Sequence, residues 1–246
     1  MGSIPPVVNG AFSLAIERGS LVPTRLVLSQ FQSNTLTRVS KAVLNEDNSM
    51  TFTCSSRRTG AVSAGMRSRY RNKSRADCIK SLTESLGTEY PNIEVRDFTI
   101  KDIDRLDPVL EDIQEYKVPQ FISDAGGFKL IRMPWKDKLS PTEALSYDSR
   151  TYPYMLDSEE DSLAETLRVR FPAGYALKEV PRSVKLSDSA ATYTVEYRYS
   201  RGELVGTRKL VYRKTVVNPG GYAGFKKFYN EAVKEDNRHL LLKKGG

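Results

Sequence analysis

The stretch that decides the fold runs from Ser162 to Lys244. It reads SLAETLRVRFPAGYALKEVPRSVKL (162–186), ATYTVEYRYSRGELVGTRKLVYRKTVV (191–217) and NPGGYAGFKKFYNEAVKEDNRHLLLKK (218–244). Leu163, Leu167, Val169 and Phe171 recur mostly at alternate positions, the period of a strand with one buried face. Pro172-Ala173-Gly174-Tyr175 breaks that strand, because Pro presets φ and Gly permits φ > 0. Val180-Pro181 ends the next short run, and Val184-Lys185-Leu186 begins another. Tyr193, Val195, Tyr197 and Tyr199 return to period two. Ser200-Arg201-Gly202-Glu203 supplies a turn before a partner strand over 204–215, so the pair is predicted to be a hairpin. The period then lengthens. Asn218 is placed as N-cap and Pro219 as the first helical residue. Tyr222, Phe225, Phe228 and Ala232 follow at helical spacing, with Lys226 and Lys227 off that face. Leu240-Leu241-Leu242 closes as a strand.

Working back from this region, Asn45-Glu46-Asp47-Asn48-Ser49 joins strands over 36–44 and 50–56. Helices are expected over 61–70 and 74–86, the second with Ser74 as N-cap and Gly87 as its stop. A strand is expected over 93–100. Residues 109–118 and 128–133 are read as a strand pair around the turn Asp124-Ala125-Gly126-Gly127. Residues 11–17 and 24–31 are further strand candidates. Residues 134–150 are polar and aperiodic and are taken as a connector.

Several of these motifs recur together in a known family. A strand, then Pro172-x-Gly174-Tyr175, then Val180-Pro181, two long strands and a helix carrying Phe225-x-x-Phe228-Tyr229-Asn230 resembles the C-terminal region of large bacterial transglutaminase-like proteins. The turn Asn45–Ser49, the run Arg57-Arg58-Thr59-Gly60, the Gly126-Gly127-Phe128 hairpin and the connector Arg150-Thr151-Tyr152-Pro153-Tyr154 extend the resemblance back to about Leu21. All of it falls on the β-rich domains of unknown function that follow the papain-like core. The resemblance implies an accessory region without the enzyme's own residues, and an exported, periplasmic or cell-surface setting. Met1-Gly2-Ser3-Ile4-Pro5-Pro6 has neither a charged n-region nor an apolar h-region, so no signal peptide is read there. A fragment of a longer protein is therefore expected, and the residues themselves leave the compartment undetermined.

Composition sets the outer bounds. At 246 residues with 39% apolar content the chain can bury a substantial core. No apolar run reaches the length of a membrane span. The net charge of +8 permits an anionic partner. Its most visible concentration is Arg57, Arg58, Arg67, Arg69, Arg71, Lys73, Arg75 and Lys80, with Tyr70 among them. Such cations could face phosphates, and aromatics could stack on bases. No helix-turn-helix, zinc-finger or RNP-type pattern accompanies them, so nucleic acid is not expected. The set is instead the candidate interaction surface.

Candidate chemistry is sparse. A transglutaminase-like core uses a thiolate, a His base and an orienting Asp in that chain order. Cys78 sits near a helix start, where the dipole lowers a thiol pKa, and His239, the chain's one histidine, follows it. No Asp follows His239, so the order is incomplete, and Cys78 also fits as a small core residue beside Leu82. Cys54 fits as a strand residue, and both cysteines are expected as free thiols. Asp102, Asp104 and Asp107 invite a calcium reading, but Ile103 interrupts them, Pro108 follows and no mid-loop Gly is present. Glu159, Glu160 and Asp161 read as a solvated run. Gly126-Gly127 and Gly220-Gly221 lack the strand-to-helix context of a dinucleotide loop.

The sequence thus predicts a mainly β (α+β) fold of antiparallel, β-sandwich-like modules with a few packed helices, divided at 1–140 and 141–246. No catalytic, cofactor-binding or metal-binding residue is expected. The function expected is that of an accessory or scaffold module, with a papain-like catalytic domain of the same protein or operon as partner. A basic module binding nucleic acid or another polyanion and a thiol enzyme using Cys78 are the two alternatives.

Overall fold

Alternation of apolar and polar residues across long strands builds one broad sheet. The computed structural model describes residues 12–13, 24–25, 34–105, 109–156, 161–213 and 216–244. Near the N-terminus β1 (Phe12–Ser13) pairs with β2 (Thr24–Arg25), and the rest of the two strands expected there lies outside the described residues. β3 (Thr35–Leu44) and β4 (Met50–Arg58) form the hairpin expected around Asn45–Ser49. Helices α1 (Gly60–Tyr70) and α2 (Arg75–Gly87) follow, with Ser74 Oγ accepting from the Asp77 amide as the N-cap. Then come β5 (Glu94–Lys101), β6 (Leu110–Val118), β7 (Ser123–Ala125) and β8 (Phe128–Arg132). A 3-10 turn at Glu143–Leu145 and β9 (Tyr154–Met155) interrupt the connector. The C-terminal stretch holds β10 (Ser162–Arg170), β11 (Tyr175–Leu177), β12 (Val184–Ser187), β13 (Ala191–Ser200), β14 (Glu203–Tyr212), β15 (Val216–Val217), α3 (Pro219–Asp236) and β16 (His239–Lys244).

Eight strands pair in the order β12-β13-β14-β10-β3-β4-β6-β5. The fold is mainly β with few helices, as read from the sequence. One element departs from the antiparallel expectation: β10 runs parallel to β3, Glu165 opposite Arg38. That pair joins the two stretches 1–140 and 141–246 within a single sheet. β6 pairs with β4 and β5, not with β8 as the intervening Gly-Gly turn implied. The turn instead joins the short β7 to β8, and both enter a second sheet of order β11-β16-β8-β7.

One face of the large sheet is buried. In β3 the inward set is Leu36, Arg38, Ser40, Ala42 and Leu44, while Thr37, Val39, Lys41 and Val43 face solvent. Ile131, Met133 and Trp135, then Tyr222, Phe225, Phe228 and Ala232 of α3, then Leu240 and Leu242 of β16, pack on the inner face. At the β5 end α1 and α2 provide the cover, with Tyr70, Cys78, Leu82 and Phe98 in contact.

Candidate functional site

Charged residues occupy inward positions in strands that otherwise bury apolar side chains. The register stacks them into one row across the inner face. Asp112 of β6 lies opposite Ser56 of β4, Ser56 opposite Arg38 of β3, Arg38 opposite Glu165 of β10, and Glu165 opposite Arg208 of β14. Burying such charges is tolerable only when each has a partner. Arg208 donates to Glu165 Oε2 at 2.7 Å and to Asp236 Oδ2 at 2.5 Å, and its guanidinium lies 4.9 Å from the Trp135 ring centroid. Asp236, at the end of α3, also accepts from Tyr193 Oη at 2.7 Å and from the Leu139 amide at 2.9 Å. Glu165 Oε1 accepts from Ser40 Oγ at 2.7 Å. Arg38 donates to Ser56 Oγ at 3.2 Å and to Asp137 at 2.5 Å. Arg58 pairs with Asp112.

Burial works against the charge on Arg38 and Arg208, but the carboxylates beside them outweigh it and hold both above the ordinary arginine value. Burial would raise the Asp137 carboxyl, yet Arg38 and Lys136 hold it well below the usual range. Burial, aided by Asp236, pushes the Tyr193 hydroxyl up.

The aperiodic segment Met133–Ser140 is tied down by this row. Arg208 grips the Lys136 carbonyl at 2.7 Å, Asp236 the Leu139 amide, and Asn237 the Leu139 carbonyl at 2.9 Å. Between this strap, the C-terminal end of α2 and Asn237 opens a cleft of about 380 Å³. Arg132, Lys136, Lys138, Glu89 and Asp137 supply its charged lining, with Tyr90 beside them. Lys138 pairs with Glu89 and donates to Tyr90 Oη at 3.1 Å. Lys136 Nζ donates to Gln114 Oε1 and lies 5.7 Å from the Tyr116 ring centroid. Burial, then the nearby Arg38 cation, brings Lys136 down to about 8. Cys54 Sγ stands 3.8 Å from Tyr116 Oη.

Most of the basic residues singled out in the sequence have partners of their own. Arg58 is buried in its pair with Asp112. Arg67 is turned onto the carbonyls of Arg105 and Val109, each at 3.1 Å. Arg71 pairs with Asp104 at 3.0 Å and Arg75 with Asp97 at 2.7 Å. Lys73 donates to Ser81 Oγ at 2.7 Å and lies over Tyr70. Arg57, Arg69 and Lys80 are exposed, and Arg57 lies opposite Glu111 in the sheet.

Both cysteines are free and buried. Cys78 packs with Tyr70, Leu82 and Phe98, and burial pushes its thiol up, the reverse of what a nucleophile needs. His239 is exposed at the start of β16, opposite Arg132. Asp104 is held by Arg71, and Asp102 lies 3.9 Å from Arg105. Asp107, Glu159 and Glu160 lie outside the described residues. Asp161 caps the parallel pair, accepting from the Asn34 amide at 2.9 Å. Among the described residues no three His, Cys, Asp or Glu side chains are grouped to hold a metal ion, and no helix is long and apolar enough to cross a membrane.

Sequence reading passed over the strap and the charged row. A signal for the row was present: Arg38, Glu165 and Arg208 each fall in the apolar phase of a strand. The strap carried only one cue, Trp135, the chain's single tryptophan, inside a polar segment.

Residues 130–242, from β8 through the strap and α3 into β16, match a family described as a domain of unknown function with a solved structure (DUF3858). Among solved structures, the chain is similar to a crystal structure described as a "putative protease" from Parabacteroides distasonis ATCC 8503. That similarity has 18% identity and a TM-score of 0.40, and covers 48% of this chain and 23% of the other. No curated protein matches the sequence.

Proposed function

We propose that this chain is a non-catalytic accessory region of a transglutaminase-like protein, acting as a scaffold that interacts with a partner or ligand. The observation that carries the non-catalytic part is the setting of Cys78. A thiol packed among Tyr70, Leu82 and Phe98 and raised by burial is a poor nucleophile. The order of motifs along the chain supports the link to transglutaminase-like proteins. The buried charge row supports a scaffold role, because its ion pairs link strands, helix α3 and strap across the inner face.

Two measurements test the proposal. With glutamine-containing casein and an amine probe, incorporation should not exceed that of a boiled control; turnover that disappears in Cys78→Ser overturns the reading. Supplied in trans with a papain-like core from the same source, the chain should associate in a salt-sensitive way, since charges at such interfaces set orientation and on-rate. Heparin retention with no association to the core favours the polyanion alternative, carried by Arg57, Arg69 and Lys80.

A further inference from the structure

A lysine ammonium at the back of a cleft ordinarily has a carboxylate beside it. Lys136 has an amide. Its Nζ donates to Gln114 Oε1, on a side chain that is itself buried, and stands over the Tyr116 ring. Among the described residues no carboxylate oxygen comes within 4.0 Å of Nζ. The acids nearby are already engaged. Asp137, its neighbour in sequence, is turned to Arg38 at 2.5 Å. Asp112 is held by Arg58 and by the Gln114 amide at 2.9 Å. Glu89, at the cleft mouth, lies between Lys138 and Arg132.

The charged and titratable groups around Lys136 are Arg38 of β3, Cys54 and Arg58 of β4, Tyr116 of β6, Arg208 of β14 and the Asp137 carboxylate of the strap itself. The cleft lining carries three cations, Arg132, Lys136 and Lys138, against two carboxylates, Glu89 and Asp137. One positive charge is left over, which matches a monoanion better than a phosphate dianion. A volume of about 380 Å³ is at the small end of ligand sites, roughly 300–1,000 Å³, so it holds a small molecule or a chain end, not a folded domain.

We infer that this cleft binds a small carboxylate whose charged end completes the ion pair that Lys136 lacks. The rest of the ligand lies against the Tyr90 ring. This deepens the interaction reading above and rests on it for its biological purpose, while the binding itself is measured on the chain alone.

The experiment is titration calorimetry of the full chain with N-acetylglycine, at fixed ionic strength in carboxylate-free buffer, at pH 7 and pH 9. Saturable binding is expected at pH 7, weakening about tenfold at pH 9 as an amine with a pKa of about 8 loses its proton. N-acetylglycinamide should not bind. Lys136→Met should weaken binding at least about tenfold, and Lys136→Arg should restore most of it, because the cation and not the packing is required. Lys41→Met, on the outer sheet face, should leave binding unchanged. Acetate and a tripeptide with a free C-terminus separate the two sources of a carboxylate: tighter binding of the tripeptide marks a chain end, and equal binding a free acid. Equal affinity at the two pH values, equal binding of the amide, or unchanged binding in Lys136→Met overturns the inference. The pH comparison uses the unaltered chain, so it stands even if a variant fails to fold. Loss of association with a papain-like core would count against the accessory reading and leave this result intact.

Discussion

Gly206 has a neighbour that leaves no room for a side chain. A Cβ there would lie 2.8 Å from Trp135 Cη2 and 3.0 Å from Cζ2. The absence of a side chain lets the indole settle on the sheet beside the Arg208 guanidinium. Gly206→Ala should therefore cost about 1–3 kcal/mol through overpacking, measured as a lower urea midpoint with altered fluorescence of the chain's single tryptophan. Two positions along the same strand the cost is electrostatic. Arg208→Met leaves Asp236 buried without its cation and Glu165 with only Arg38, at 3.7 Å, and breaking such a pair costs roughly 3–5 kcal/mol. Lys136 gives the pH dependence a sign. Its folded value of about 8 lies below lysine's ordinary 10.5. Within that window the unfolded chain holds a proton that the folded chain releases, so this group makes stability rise with pH. Burial also raises the Cys78 thiol, Tyr90 and Tyr116, whose stabilising contribution is full below the ordinary 9.0 of cysteine and 10 of tyrosine and is lost above it, so the test belongs between pH 8 and 9. The unaltered chain should gain in urea midpoint across that interval, and Lys136→Met should lose most of the gain.

At the scale of elements, helix α3 shows what sequence period reveals and what it misses. Its spacing placed Tyr222, Phe225, Phe228 and Ala232 inward, and all four are buried. The same spacing treated Lys226 and Lys227 alike, yet Lys226 reaches the carbonyls of Ser146 and Tyr147 at 3.0 and 2.8 Å. It thereby pins the connector, as Arg150 does between the rings of Tyr154 and Tyr222. Phe225→Ala should cost about 3–5 kcal/mol, Lys226→Ala about 1 kcal/mol and Lys227→Ala under about 0.5 kcal/mol, ranked by thermal midpoint. Equal effects at Phe225 and Lys227 would mean the helix is not docked. Strands and caps were legible because alternation, Ser74 and Pro219 act locally. The pairing of β6 with β4 was not, because a strand's partner is set by burial over long range and the nearby Gly126-Gly127 turn favoured β8. The strap was illegible for a related reason. Its shape comes from Arg208, Asp236 and Asn237, all far away in sequence, and not from any period of its own.

At the scale of the whole molecule, the deciding contact is the parallel pair of β3 and β10. Glu165 lies opposite Arg38 although 127 positions separate them, and β10 is inserted between β3 and β14. Neither stretch, 1–140 or 141–246, therefore holds the whole of the eight-stranded sheet or of the four-stranded one. Removing the first would leave β10 with a bare edge of unpaired N–H and C=O groups and with Glu165 facing no Arg38. Asp236 ties α3 to Arg208 of the sheet and to the Leu139 amide of the strap, so the layers are coupled as well as the strands. Pairing over such separations makes loop closure precede any gain in contact, so folding should be slow for the chain's size. It should also be cooperative. Urea unfolding followed by Trp135 fluorescence, which reports the strap, and by far-ultraviolet circular dichroism, which reports the sheet, should give one midpoint and one slope. A second transition, or a stable monomeric fragment 141–246 with native-like sheet content, would instead mean that two modules divide near residue 140 and that the parallel pair adds little to holding them together.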